Sequence, residues 1–147
     1  MELLFKPANI DDIESIYLLC KDLIDKYEDK SVVDYQKVLL WVKNKIEKSI
    51  SEYQAIYYQG NRAGYVHCFI NEDGIYEIDD LYIFDEFQNK TIGTTVIKQI
   101  CEKCDQDVML YVFIKNKRAV SLYRRLGFEI VKTVNNTRYI MVKSKAD

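Results

Sequence analysis

Proline occurs once in this chain and glycine five times, so each one can be assigned to a turn, and no low-complexity tract, repeat or interdomain linker is present. Histidine is rarer than glycine: His67 stands alone. A zinc site built on Cys101 and Cys104 (CEKC) therefore lacks the second ligand pair it needs, and no metal is expected. Buried or half-buried thiols are the expected state of those two and of the isolated Cys20 and Cys68. No run reaches the roughly 20 apolar residues that span a bilayer. The opening MELLFKPANIDD has no basic leader, and its apolar run is too short for a signal peptide. A cytoplasmic protein that does not engage a membrane is expected. Nor is there an excess of positive charge: the net charge is −2, so no nucleic-acid partner is expected. The local cluster of Lys115, Lys117, Arg118, Arg124 and Arg125 reads first as a solvated helix face, though it could meet phosphates.

What is present describes one folded unit. Hydrophobic residues make up 48% and charged residues 30% of 147, which suits a single domain over 1–147 with one core. Leu3 to Lys6 reads as a first strand, ended by Pro7. Asn9 then caps a helix in which Ile13, Ile16, Tyr17, Cys20, Leu23, Ile24 and Tyr27 recur at helical spacing. A second helix runs from about Asp34 to Ile50, with Val38, Leu39, Trp41, Val42 and Ile46 on its apolar side. Strands follow in YQAIYY and RAGYVHCFI, joined through QGN, and then in IYEIDDLYIF. A third helix spans about Thr91 to Cys104. DVMLYVFI reads as a strand covered on both faces. NKRAVSLYRRLGFE then gives a short fourth helix, and a hairpin turned at Asn135 and Asn136 closes the chain. The order is β-α-α-β-β-β-α-β-α-β-β, and its alternating second half implies some parallel pairing.

Chemistry first suggests itself in LYIFDEFQNKTIGTTVIK. A strand, a short loop and a helix start place unpartnered amides at one spot, which suits an anion. On the fourth helix Ala119, Leu122, Tyr123 and Leu126 share the inner face, with Gly127 as the residue that ends it. Glu77 and Asp79 share one face of their strand by alternation, and Asp80 takes the other.

The loop resembles the acetyl-CoA-binding loop of the Gcn5-related N-acetyltransferases (GNAT), [QR]-x-x-G-x-[GA], in Gln88-Asn89-Lys90-Thr91-Ile92-Gly93. The fourth helix resembles the same family through Asn116, Ala119, Leu122, Tyr123, Arg125, Gly127 and Phe128. FKPANIDDI and AGYV resemble its first junction and third strand. The resemblance implies an α/β (α+β) fold with a mixed, mostly antiparallel central sheet of about seven strands and four helices on both faces. It implies an enzyme that moves an acetyl group from acetyl-CoA, its co-substrate, directly to an amine acceptor, as a monomer or homodimer. Leu81, Tyr82, Ile83, Gln88, Asn89, Lys90, Thr91, Ile92, Gly93, Thr94, Asn116 and Tyr123 are then the cofactor-binding residues. Tyr123 faces the leaving thiolate, and Asp79 or Glu77 is the base. Thr91 stands where the family has glycine. A β-branched residue tolerates φ > 0 poorly, so its hydroxyl is expected to cap the helix instead. Asp22, Asp25, Glu28, Asp29, Tyr27 and Tyr35 fall where the family shapes its acceptor cleft. A catalytically silent acyl-CoA sensor or scaffold is the alternative. A nucleotide binder lacks G-x-x-x-x-G-K-[ST].

Overall fold

Asn9 makes the first change of direction, and it does so with its side chain. Its carboxamide oxygen accepts from the Asp11 amide at 2.9 Å, while the Asp12 carboxylate accepts from the Asn9 amide at 2.9 Å. This reciprocal pair is a capping box, and it ends β1 (Leu3–Pro7) and starts a 3₁₀ turn that runs into α1 (Ile13–Tyr27). The computed structural model describes residues 1–145. Asp34 caps α2 (Tyr35–Ser49), accepting from the Lys37 amide. Then come β2 (Gln54–Tyr58), β3 (Asn61–Ile70), β4 (Tyr76–Ile83), α3 (Ile92–Lys103), β5 (Val108–Phe113), α4 (Lys117–Arg125), β6 (Glu129–Val134) and β7 (Arg138–Lys143).

The strands form one sheet in the order β1-β2-β3-β4-β5-β7-β6. All pairings are antiparallel except β4 with β5. The helices divide between the two faces. Ile16, Ile24, Leu39, Val42 and Ile46 of α1 and α2 pack with Ala55, Tyr65 and Tyr82. On the other face Ile92, Val96 and Ile97 of α3 and Val120 of α4 pack with Ile56, Val66, Ile78, Leu110 and Met141.

Three details depart from the sequence expectation. Trp41 is 64% exposed. The α2 core row is Leu39, Val42 and Ile46, and at 100° per residue Trp41 falls outside it. In the β2–β3 turn Gln59 and Gly60 take the positive φ values, and Asn61 already belongs to β3. Asp80 does not point away from Asp79. The β3–β4 register slips between His67/Asp80 and Cys68/Ile78, which leaves Asp79 as an extra residue. Such a bulge breaks strict alternation.

Candidate active site

The sheet splits between β4 and β5. The two strands pair only at Tyr76/Val108, Glu77/Met109 and Ile78/Leu110. Beyond that point β4 stays with β3 out to Ile83/Gly64, and β5 stays with β7 out to Phe113/Arg138. Asp79 is the first residue past the last shared pair, so it marks the apex of the wedge. α3 and α4 cover one face there, and α1 and α2 cover the other.

On the α3 side, the loop after β4 is shaped by its own side chains. Gln88 donates through Nε2 to the Ile83 carbonyl at 3.1 Å and to Asp85 at 3.3 Å, folding the loop against the strand end. Asn89 and Thr91 both adopt left-handed backbone, with φ of 62° and 63°. The expectation that the Thr91 hydroxyl caps α3 is overturned: it donates to the Lys90 carbonyl at 2.6 Å and makes no cap. The chain turns here without the glycine, which costs about 1–2 kcal/mol for an L side chain. Buried Ile92 anchors the turn. The first intrahelical bond runs from the Thr95 amide to the Thr91 carbonyl. Among the described residues the amides of Ile92, Gly93 and Thr94 have no protein acceptor. These three converge on the helix's positive end. Leu81 and Ile83 pack on this face. The Tyr82 side chain is buried on the opposite face, where its hydroxyl donates to Asp80 at 2.9 Å, so Tyr82 presents only backbone toward α3.

Asn116 caps α4, its side-chain oxygen accepting from the Ala119 amide at 3.3 Å, and among the described residues its amide nitrogen has no protein acceptor. The helix ends in a Schellman motif: the Phe128 amide donates to the Tyr123 carbonyl and the Gly127 amide to the Arg124 carbonyl, each at 3.0 Å, with φ of 97° at Gly127. Tyr123 is half-buried, and burial pushes its phenol up to about 12. Its ring packs against Phe128, and among the described residues its hydroxyl makes no hydrogen bond to the protein. Arg118 at the start of α4 donates to the Asn89 side chain, tying the two loops together. Sequence reading grouped Arg118 with a basic cluster and did not foresee this tie.

The α1–α2 side of the apex holds a network that the sequence did not announce. Lys45 of α2 donates to Asp79 at 2.8 Å and to Asp80 at 2.9 Å. Both oxygens of Asp80 are taken, by Lys45, Tyr53 and Tyr82. Asp79 uses one oxygen for Lys45 and for His67 Nδ1, at 2.8 Å each, and its other oxygen makes no protein contact among the described residues. Burial opposes ionisation of Asp79, but His67 and Lys45 outweigh it and hold the carboxyl below its ordinary range. Glu77 lies on this side as well, bound by the Asn71 amide at 3.3 Å, and burial raises its carboxyl. The two carboxylates that alternation placed together are thus driven in opposite directions.

The acidic run on α1 is largely consumed by pairing. Asp22 meets Lys26, and Asp25 meets Lys21, Lys30 and the Tyr35 hydroxyl. Asp29 accepts from Ser31, and Tyr27 packs against Phe113 with centroids 6.2 Å apart. Two recesses of about 490 Å³ lie elsewhere, one beside Cys68 and Cys104 and one beside Cys101 and Lys143; neither is lined by Tyr123 or the α3 start. Among the described residues no helix is long and apolar enough to cross a membrane, and no group of side chains could hold a metal ion.

The description of the Acetyltransferase (GNAT) family matches residues 12–128. An uncharacterized N-acetyltransferase of Methanocaldococcus jannaschii is 26% identical over 131 residues, covering 82% of this chain; the chain spans 57% of that relative's length. Among solved structures, the PaiA N-acetyltransferase of Thermoplasma acidophilum in complex with coenzyme A is similar with a TM-score of 0.69, at 20% identity over 98% of this chain and 99% of that one. Arabidopsis thaliana Naa50, in complex with a bisubstrate analogue, is similar with a TM-score of 0.63, at 19% identity over 98% of this chain and 99% of that one.

Proposed function

This chain belongs to the GNAT acetyltransferase family, and from that premise we propose that residues 1–147 act as one domain that moves an acetyl group from acetyl-CoA directly to a primary amine. The observation that carries the reading is the wedge. Three unpartnered amides at the start of α3 and the unpartnered Tyr123 hydroxyl lie on one side of it, and the free oxygen of Asp79 lies on the other. Leu81, Ile83, the backbone of Tyr82, Gln88, Asn89, Lys90, Thr91, Ile92, Gly93 and Thr94 build the pyrophosphate cradle. The free amide nitrogen of Asn116 meets the pantetheine arm. Acetyl-CoA supplies the activated acyl group; the chain supplies position and proton management.

Two magnitudes set the roles. Keeping a lysine-like amine, pKa near 10.4, neutral at pH 7 costs about 4–5 kcal/mol, so a nearby carboxylate must receive the proton. Asp79 stands at the apex, and Glu77, raised by burial, is the stronger base of the two. For Tyr123, a phenol near 10 giving its proton to a thiolate near 8.5 is uphill by about 2 kcal/mol in water, and burial raises this phenol. Tyr123 therefore works as a hydrogen-bond donor to charge growing on sulfur, not as a full acid.

The net charge of −2 supports a protein that works without nucleic acid. The test is amine-dependent release of the CoA thiol, measured across polyamine, aminoglycoside, amino-acid and peptide acceptors. Release above the amine-free rate, together with a higher melting temperature in acetyl-CoA, supports the transferase. A higher melting temperature with no amine-dependent release would favour the silent binding module.

A further inference from the structure

The second half of α3 lines a recess of about 490 Å³ whose charge is opposite to that of the chain. Lys98, Arg125, Lys143 and Lys145 stand around it with one carboxylate, Glu102. Four cations against one acid leave an excess of three positive charges, in a chain whose net charge is −2. Asp107, next to the recess, accepts from the Lys145 main-chain amide at 2.9 Å. Among the described residues none of the four cations pairs with a carboxylate. The recess lies toward the end of α3 that is remote from the Ile92, Gly93 and Thr94 amides.

Two of the ammoniums are held in place. Lys143 Nζ donates to the Leu126 carbonyl at 2.9 Å, where α4 stops, and Lys145 Nζ donates to the Cys104 carbonyl at 2.7 Å, where α3 stops. A lysine at a helix C-terminus is ordinary by itself, but each ammonium keeps two N–H groups for another acceptor. The two converge on one wall: burial raises the Cys101 thiol there, and Lys143 and Lys145 both oppose the rise. Lys98 and Arg125 cap no carbonyl among the described residues. Both are exposed, and Arg125 donates to the Ser121 hydroxyl at 3.1 Å. Behind the charges the floor is apolar, made by Ile97, Val108 and Leu126. Helix capping accounts for two of the cations. It accounts neither for the other two nor for the apolar floor between them.

We propose that this recess is a second binding site, taking a small organic phosphate: an apolar body on the floor and a dianionic head among the four cations. A phosphate monoester carries about −1.5 to −2 charge at pH 7 and three acceptor oxygens. The pinned pair supplies fixed donors, and Lys98 and Arg125 close on the head from the exposed rim. A bare inorganic anion leaves the apolar floor in water, and a neutral apolar molecule leaves the surplus charge unmet. The volume falls within the roughly 300–1,000 Å³ of small-molecule sites. A nucleic acid fits less well, because the charge is gathered in one recess rather than spread along a face. The site is separate from the acetyl-CoA cradle and does not depend on the transferase reading.

The experiment titrates ¹⁵N-labelled protein with phenyl phosphate, inorganic phosphate and benzyl alcohol, both alone and with CoA added to fill the cradle. Phenyl phosphate is expected to give saturable shifts at the Cys101, Gly127, Ser144 and Lys145 amides whether or not CoA is present. Its affinity should exceed that of inorganic phosphate about fivefold or more, through the buried ring, and should fall as salt is raised. Benzyl alcohol should give no saturable shift. The double variant Lys98→Gln, Arg125→Gln changes two exposed side chains and leaves both helix-end lysines in place. It should weaken phenyl phosphate about tenfold. No saturable shift at those amides would overturn the proposal. So would equal affinity for phenyl phosphate and inorganic phosphate, equal binding of benzyl alcohol, or a double variant that binds like wild type. Shifts confined to Ile92, Gly93 and Thr94 and abolished by CoA would place phosphate in the cradle alone, overturning the second site and leaving the transferase reading intact. CoA that moves none of those three amides would count against that reading and not against this one.

Discussion

Phe128 holds Tyr123 at two points: its amide donates to the Tyr123 carbonyl at 3.0 Å, and its ring packs against the tyrosine ring with centroids 5.8 Å apart. The backbone bond and the ring contact are the two parts of one helix-ending motif. The phenol is therefore oriented by the way α4 stops, and among the described residues its hydroxyl makes no hydrogen bond to the protein.

From this follows a separation of effects at the two positions. Tyr123→Phe keeps the ring and the motif and removes one donor. It is expected to leave acetyl-CoA affinity within about twofold and lower kcat by about 10²–10³. Phe128→Ala removes a ring that is 1% exposed and is expected to cost about 3–5 kcal/mol of stability. Steady-state kinetics and urea titration check the pair. An unchanged kcat in Tyr123→Phe removes the phenol from the mechanism.

Thr91 holds φ of 63° without a glycine. Thr91→Gly relieves that strain and gives back some of it through unfolded-chain entropy, for a net gain of about 0.5–1 kcal/mol. Thr91→Pro forces φ near −65° and should lower both stability and acetyl-CoA affinity. A loss of stability in Thr91→Gly would mean that the Thr91 side-chain contact to Lys90 outweighs the strain.

Much of the fold was readable because its signals are local. The Asn9 cap, the helical spacing of α1, the Asn135–Asn136 turn and the Gly127 stop each depend on a few neighbouring residues. The loop after β4 and the end of α4 were readable for the same reason, since Gln88 to Gly93 and Asn116 to Phe128 are contiguous. The charged network at the apex was not. Lys45, His67 and Asp79 lie on three different elements, and no spacing rule joins them. Alternation along β4 failed because a bulge is a property of two paired strands, and Thr91 took the left-handed turn because Ile92 and the loop fix it in place.

Lys45 neutralises two carboxylates that are 17% and 10% exposed. Lys45→Met leaves Asp80 without a cation and Asp79 with His67 alone, and is expected to destabilise the fold by about 2–4 kcal/mol, less than a fully dry pair because each group retains some water. Adding Asp80→Asn should recover part of that loss. Urea unfolding of the single and double variants measures it.

The His67–Asp79 pair predicts its own pH window. His67 is raised above its ordinary 6.5, so its stabilisation is complete below that value and is lost as pH climbs through the folded one. Asp79 is lowered from 3.8, so its share is present above that value and is lost as pH falls through the folded one. The melting-temperature difference between wild type and His67→Gln should therefore be largest near about pH 4–6.5 and shrink toward pH 9. A difference that stays flat with pH would remove the charged pair from the stability balance.

The central claim concerns where acetyl-CoA lies, and titration of ¹⁵N-labelled protein with acetyl-CoA tests it most directly. Saturable shifts largest at the Ile92, Gly93 and Thr94 amides and extending to Asn116 and Tyr123 are predicted. Saturation with those amides unmoved, and with shifts gathered instead around the recess beside Cys68 and Cys104, would contradict it.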